Sequence, residues 1–288
     1  MSRFSCIGRV VLTLLLAAGA AQGSAAPRGP APAGVSWSLQ GLERLDGAPA
    51  LFELNRLADA WATEGFDHPE AVLKRLDELQ KGVSAAPPLA WDRVIERTRG
   101  LVAARGGQES LALEAAGRLR QMADRDPVAA ADAAMVRAVL DDQLWRSDSA
   151  TGQALEADAV YARTCAGEAG RSATCDHRGW WQVIRMLAVR ADRQGNRLEA
   201  SRLYQRANEL AAQAGDDVLL SWGLSSLAVQ SQLLNDTEKA RRDMAQAERH
   251  ARLDTTGRAM IRVLMNSAVL ATTRNDRGSS RPALEDAV

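Results

Sequence analysis

The sequence predicts an all-α fold, a solenoid of antiparallel helix pairs, and three observations carry that expectation. From Pro49 onward the chain is built of Ala, Leu, Arg, Glu and Gln in helical spacing, with few β-branched runs and no sustained period-2 alternation. A block of about 40 residues recurs, most clearly in the last hundred residues. Turn residues, Gly195-Asn196 and then Asn235-Asp236, fall at the same place in successive blocks.

The N-terminal segment 1–26 reads as a Sec-type signal peptide. Arg3 and Arg9 precede an apolar run from Val10 to Ala21, and the small residues of AQGSAA follow. The run is far short of the roughly 20 apolar residues that span a bilayer, and no later segment comes closer. Cleavage is expected between Ala20 and Ala26, with an uncleaved anchor as the alternative. Cys6 lies before the apolar run, which argues against a lipoprotein. Residues 27–48, beginning PRGPAPAG, read as a flexible leader. The expected location is periplasmic or secreted, with attachment to the inner membrane through the signal segment or a missing C-terminal part.

Helical repeats fill the rest, degenerate over 49–180 and clearer over 181–288. In the first clear copy Leu187-Ala188 lies on one helix, and Ala200, Tyr204 and Ala207 lie on the next. The second copy places Leu227-Ala228 before Ala240, Met244 and Ala247. The third begins at Leu270-Ala271, turns at Gly278 and enters its second helix at Ala283. Ala200, Ala240 and Ala283 are 40 and 43 residues apart, and each lies 13 residues after the Leu of its pair. The second-helix pattern recurs upstream around Ala71, Ala112 and Ala154, whereas the first helices of these early copies lack the large-small pair.

This pattern resembles the tetratricopeptide repeat, in which a Leu and a small residue on the first helix meet Ala, an aromatic and Ala on the second. The resemblance implies a right-handed superhelix whose small residues let paired helices approach closely. The period exceeds the family's roughly 34 residues, as longer helices or loops would produce. The chain stops at Val288 within an expected second helix. Exported arrays of this kind resemble the N-terminal sensor regions of bacterial membrane-bound diguanylate cyclases and, less often, histidine kinases. That resemblance implies a transmembrane helix and a catalytic domain beyond residue 288.

Charge and motifs narrow the function classes. With 36 basic and 36 acidic residues, no global field draws the chain to nucleic acid or to an anionic membrane. His68, His177 and His250 are far apart, and no HExxH, CxxC, P-loop, GxGxxG or GxSxG motif is present. No catalytic residue and no cofactor are therefore expected in this chain. Asp216-Asp217 follows Gly215 and precedes an apolar helix, the place of N-capping carboxylates. Cys165 and Cys175 flank a Gly-rich loop, and in an oxidising compartment a disulfide is the leading reading. A metal site from Cys165, Cys175, Asp176 and His177 lacks a second thiol pair at ligand spacing, so no metal is expected.

Binding is left to the inner face of the superhelix. Trp222 lies two residues before Leu224, off the Leu227-Ala228 packing seam, on the side that lines the concave groove in the family it resembles. The matching row comprises Gln182, Arg185 and Asp192, then Ser225 and Gln232, then Met265, Thr272 and Asn275. An aromatic anchor ringed by Arg and amides suits a peptide, a protein segment or a small ligand. Packing or an idle surface is the alternative for the same residues. The leading expectation is an exported binding scaffold; the other is the sensory input of a larger signalling enzyme.

Overall fold

Successive helices occupy the described parts of the computed structural model, residues 47–82, 89–165, 175–254 and 257–273. They are α1 Gly47–Asp67, α2 Pro69–Gly82, α3 Leu89–Arg105, α4 Glu109–Met122, α5 Val128–Gln143 and α6 Ser147–Thr164. Then come α7 His177–Arg193, α8 Arg197–Ala214, α9 Asp217–Leu233, α10 Thr237–Ala251 and α11 Arg258–Thr273. Among the described residues every element is helical, and no helix is long and apolar enough to cross a membrane. The signal segment, nearly all of the leader, Asn275, the turn at Gly278 and the helix at Ala283 lie outside the described residues.

Local chemistry sets the repeat. Gly195 and Asn235 take left-handed φ values of 80° and 65°, and Gly215 does so at 66°, ending one helix and turning the chain into the next. The following residue caps that next helix: Asn196, Asp216 and Asp236 accept from the backbone N–H of Glu199, Leu219 and Lys239. Each cap satisfies a donor that the helix itself leaves open. Reversal within three residues makes neighbouring helices antiparallel.

Packing follows from the small residues. Ala112, Ala154, Ala200, Ala207, Ala240 and Ala247 are fully buried, and the large-small pairs of α7, α9 and α11 are buried too. At Gly223 a Cβ would overlap the Asn208 amide oxygen, so α8 and α9 approach at a point only glycine allows. Ala71 departs from the expected register. It is exposed, and Val72 and Leu76, one turn apart, are the buried residues of α2. The early first helices form regular helices although their repeat pattern is degenerate in sequence. α5 buries alanines around most of its circumference together with Met135, Val136 and Leu140, which hides the large-small signature in an almost uniformly apolar helix.

Contacts between helices define the curvature. Successive first helices touch (α1 with α3, α3 with α5, α9 with α11), whereas successive second helices make no substantial contact with one another. The side where like helices come closest is the inside of the curve, so the first helices α1, α3, α5, α7, α9 and α11 lie on the concave side. Its tightness shows in a link that skips two pairs: Asp59 of α1 takes hydrogen bonds from Arg178 and Gln182 of α7, at 2.5 and 2.6 Å.

Cys165, capping α6, and Cys175, two residues before α7, are joined by a disulfide with their Cα atoms 4.9 Å apart. The bridge ties the end of one pair to the start of the next. Its removal by a Cys165→Ser, Cys175→Ser double variant is expected to lower stability by roughly 2 to 3 kcal/mol, the loop-closure value for so short a loop. Urea unfolding of parent and variant checks the size. Non-reducing peptide mapping of protein purified without reductant checks the pairing, and two free thiols there would contradict it.

Candidate functional site

Two polar constructions occupy the interior, and they differ in whether their charges are balanced. In the first, Arg93 and Arg97 of α3 are almost wholly buried. Arg93 reaches Asp126 at 2.7 Å, Asp132 of α5 at 2.5 Å and Asp176 at 3.1 Å; Arg97 reaches Asp132 at 3.2 Å and Asp176 at 2.6 Å. Tyr161 of α6 donates to Asp132, and Arg97 also donates to Asn55 of α1. Burial alone would raise the Asp176 carboxyl, but Arg97 and Arg93 overcome it and hold it well below the usual carboxylate range. Asp176 also caps α7 through Gly179, where a Cβ would strike the Tyr161 hydroxyl and Arg97. Satisfied on every side, this cluster is a lock between α1, α3, α5, α6 and α7 rather than a binding site.

Arg178 repeats the device nearby, joining Asp59 of α1 to Asp216, the cap of α9, at 2.6 Å, with its guanidinium 5.3 Å from the Phe52 ring centroid. Sequence reading missed both clusters. The available signals were Asp132, a lone acid within VAAADAAMV, and Arg93 and Arg97, one turn apart on α3.

The second construction is the concave face of α7, α9 and α11. Trp222 is half-buried rather than a free surface residue. It packs against both the central and the C-terminal hydrophobic clusters, and its ring centroid is 6.1 Å from that of Trp181. Ser225 is fully buried and does not line the groove. Its hydroxyl donates to the Trp222 carbonyl and accepts from Asn266 of α11 at 2.9 Å, a consequence of the close approach of α9 and α11. Gln182 is half-buried and held by Asp59. Asp192 and Gln232 are half-buried, and Met265 and Thr272 are exposed, Thr272 donating to the Ala268 carbonyl. The row is thus a mixture of fold-serving and accessible side chains.

Three arginines complete this face. Arg185 of α7 lies 5.9 Å from the Trp181 ring centroid, and Arg262 of α11 lies 5.1 Å from that of Trp222. Arg105, the last residue of α3, feels Arg185 as its neighbouring cation. Burial and the Arg185 charge pull Arg105 down to about 10, against a weaker pull from Asp59. Burial and Arg185 likewise pull Arg262 down to about 10, with Tyr204 opposing. Tyr204 itself is pushed up, chiefly by burial. The indole N–H groups of Trp181 and Trp222 are buried and meet no acceptor among the described residues. The face therefore presents hydrogen-bond donors and positive charge over an aromatic floor. Arg105 and Arg262 were not singled out in sequence: one resembles an ordinary basic helix end, the other lies three residues before Met265 in a segment without a repeat consensus.

No family model matches the sequence, and no curated protein does. Solved structures do share the fold. BtubC (BKLC) from P. vanneervenii is 15% identical over 86% of this chain and 90% of its own, with a TM-score of 0.52. NprR in complex with its cognate peptide NprX is 15% identical over 84% of this chain and 67% of its own, with a TM-score of 0.50. The apo quorum sensor NprR from B. thuringiensis gives 16%, 86%, 67% and 0.48. At such identity the likeness is one of architecture, and it establishes the chain as a helical solenoid of the tetratricopeptide type.

Proposed function

We propose that this chain is an exported, non-catalytic scaffold that holds an extended peptide or protein segment along its concave face. The observation that carries this is the Trp181–Trp222 floor with Arg185 and Arg262 stacked on it, an aromatic and cationic lining aligned along α7, α9 and α11. The NprR likeness, in a structure whose own peptide is bound, supports the reading from the side of architecture. Export draws its support from the N-terminal segment and from the Cys165–Cys175 bridge, since disulfides persist in oxidising compartments.

Retention of a random decapeptide pool by the exported protein, read by mass spectrometry, tests the binding role. Met265 is an exposed residue of the concave face and Leu155 an exposed residue of the second helix α6. Met265→Glu should fold within about 0.5 kcal/mol of the parent, as surface substitutions do, and retain at least roughly tenfold less peptide, the size of a lost anchor contact. Leu155→Glu should retain as much as the parent. Equal retention by both variants, or none by the parent, contradicts the proposal. The same preparation from the native host should begin between Ala21 and Pro27; an intact Met1 would contradict export.

The second reading makes this scaffold the sensory input of a membrane-bound signalling enzyme of the diguanylate cyclase or histidine kinase type. It draws on the sequence resemblance given above and on the concave face as a place for a signal peptide. Sequence beyond residue 288 decides it, with roughly 20 apolar residues and then a catalytic domain expected.

A further inference from the structure

Like charges gathered on an inner surface oppose folding unless something answers them. Arg185 of α7 lies over the Trp181 ring and Arg262 of α11 over the Trp222 ring, and the two ring centroids are 6.1 Å apart, so both guanidinium groups share one region of the concave face; the Arg185 charge is also felt by Arg105 of α3. Among the described residues none of the three forms an ion pair with a carboxylate. Asp59, the acid that acts on Arg105, is already held by Arg178 and Gln182. The contrast with Arg93, Arg97 and Arg178, each set against two or more carboxylates, is the point.

Stacking explains how the arginines are held without an acid. A guanidinium lying over an indole keeps its N–H groups at its edge, free to fork onto a carboxylate. The buried N–H groups of Trp181 and Trp222 add donors that meet no acceptor among the described residues. A ligand fitting this lining supplies acceptors and negative charge, and its apolar part meets the Trp222 ring and Met265. A polyphosphate backbone fits less well, because the positive charge is a local pair set over aromatic rings and the chain's formal net charge is zero.

We propose that Arg185 and Arg262 form the anion-recognising part of the groove, and that its ligand is an acidic peptide segment whose carboxylates they take. This rests on the peptide-binding reading above and adds to it the class of peptide.

The test uses two decapeptide pools, random except that every third position is Glu in one and Gln in the other, added to the full exported protein. The Glu pool should be retained at least roughly tenfold better in dilute buffer, and that advantage should shrink toward 1 M salt, where the screening length falls to about 3 Å. An Arg185→Gln, Arg262→Gln double variant should lose the Glu-pool advantage while melting no lower than the parent, because it removes repulsion. A variant that melts much lower shows the arginines to be structural and overturns the proposal. Equal retention of both pools also overturns it while leaving peptide binding intact; retention of neither removes the peptide-binding reading itself.

Discussion

Asp132→Ala is expected to lower stability by about 3 to 5 kcal/mol, the cost of stripping one partner from a buried ion cluster. Asp132 faces Arg93, Arg97 and the Tyr161 hydroxyl at once. Without it two buried guanidinium groups share Asp176 and the more peripheral Asp126, and Tyr161 loses its acceptor. The loss should reach beyond α5, since the same groups connect α1, α3, α6 and the cap of α7. Acid should reproduce part of the effect. The Asp176 pKa is lower folded than its ordinary value of 3.8, so its contribution is complete above that value and fades as pH falls through the depressed folded value. Urea midpoints at pH 7 and near pH 3 measure both. A variant within 1 kcal/mol of the parent would show that the cluster is not a lock.

Trp222→Ala should cost about 2 to 4 kcal/mol, at or below the range for truncating a core tryptophan because the ring is only half-buried. The residue joins two hydrophobic clusters, one running from α3 to α9 and the other formed by α9, α10 and α11. Its loss should therefore also weaken the coupling of the last helices to the rest, broadening the unfolding transition as expected of a solenoid with a softened interface. Peptide retention should fall as well, because Arg262 loses the ring beneath it. Unchanged stability would return Trp222 to the free surface that its sequence phase implies.

That phase illustrates what the sequence could and could not convey. Leu187-Ala188, Leu227-Ala228 and Leu270-Ala271 are legible because helix pairing needs large and small residues at fixed spacing, and all are buried. The turns are legible because a left-handed residue followed by a capping side chain has few solutions, here Gly195-Asn196 and Asn235-Asp236. Periodicity places Trp222 away from the seam within its own pair, yet it cannot register that α11 returns against α9 and covers that side, which is also why Ser225 is buried. The Arg–Asp cluster was invisible for a related reason. Its members are as far apart as Arg93 and Asp176, and only the curl of the superhelix brings them together.

Hydrogen exchange on the full chain, with and without the most strongly retained decapeptide of the pool, addresses the concave face most directly. Bound peptide should slow exchange in α7, α9 and α11, the helices carrying Arg185, Trp222 and Arg262, and leave α4, α6 and α10 unchanged. Protection confined to those second helices, or absent everywhere despite saturating peptide, would contradict a binding groove on the inner face.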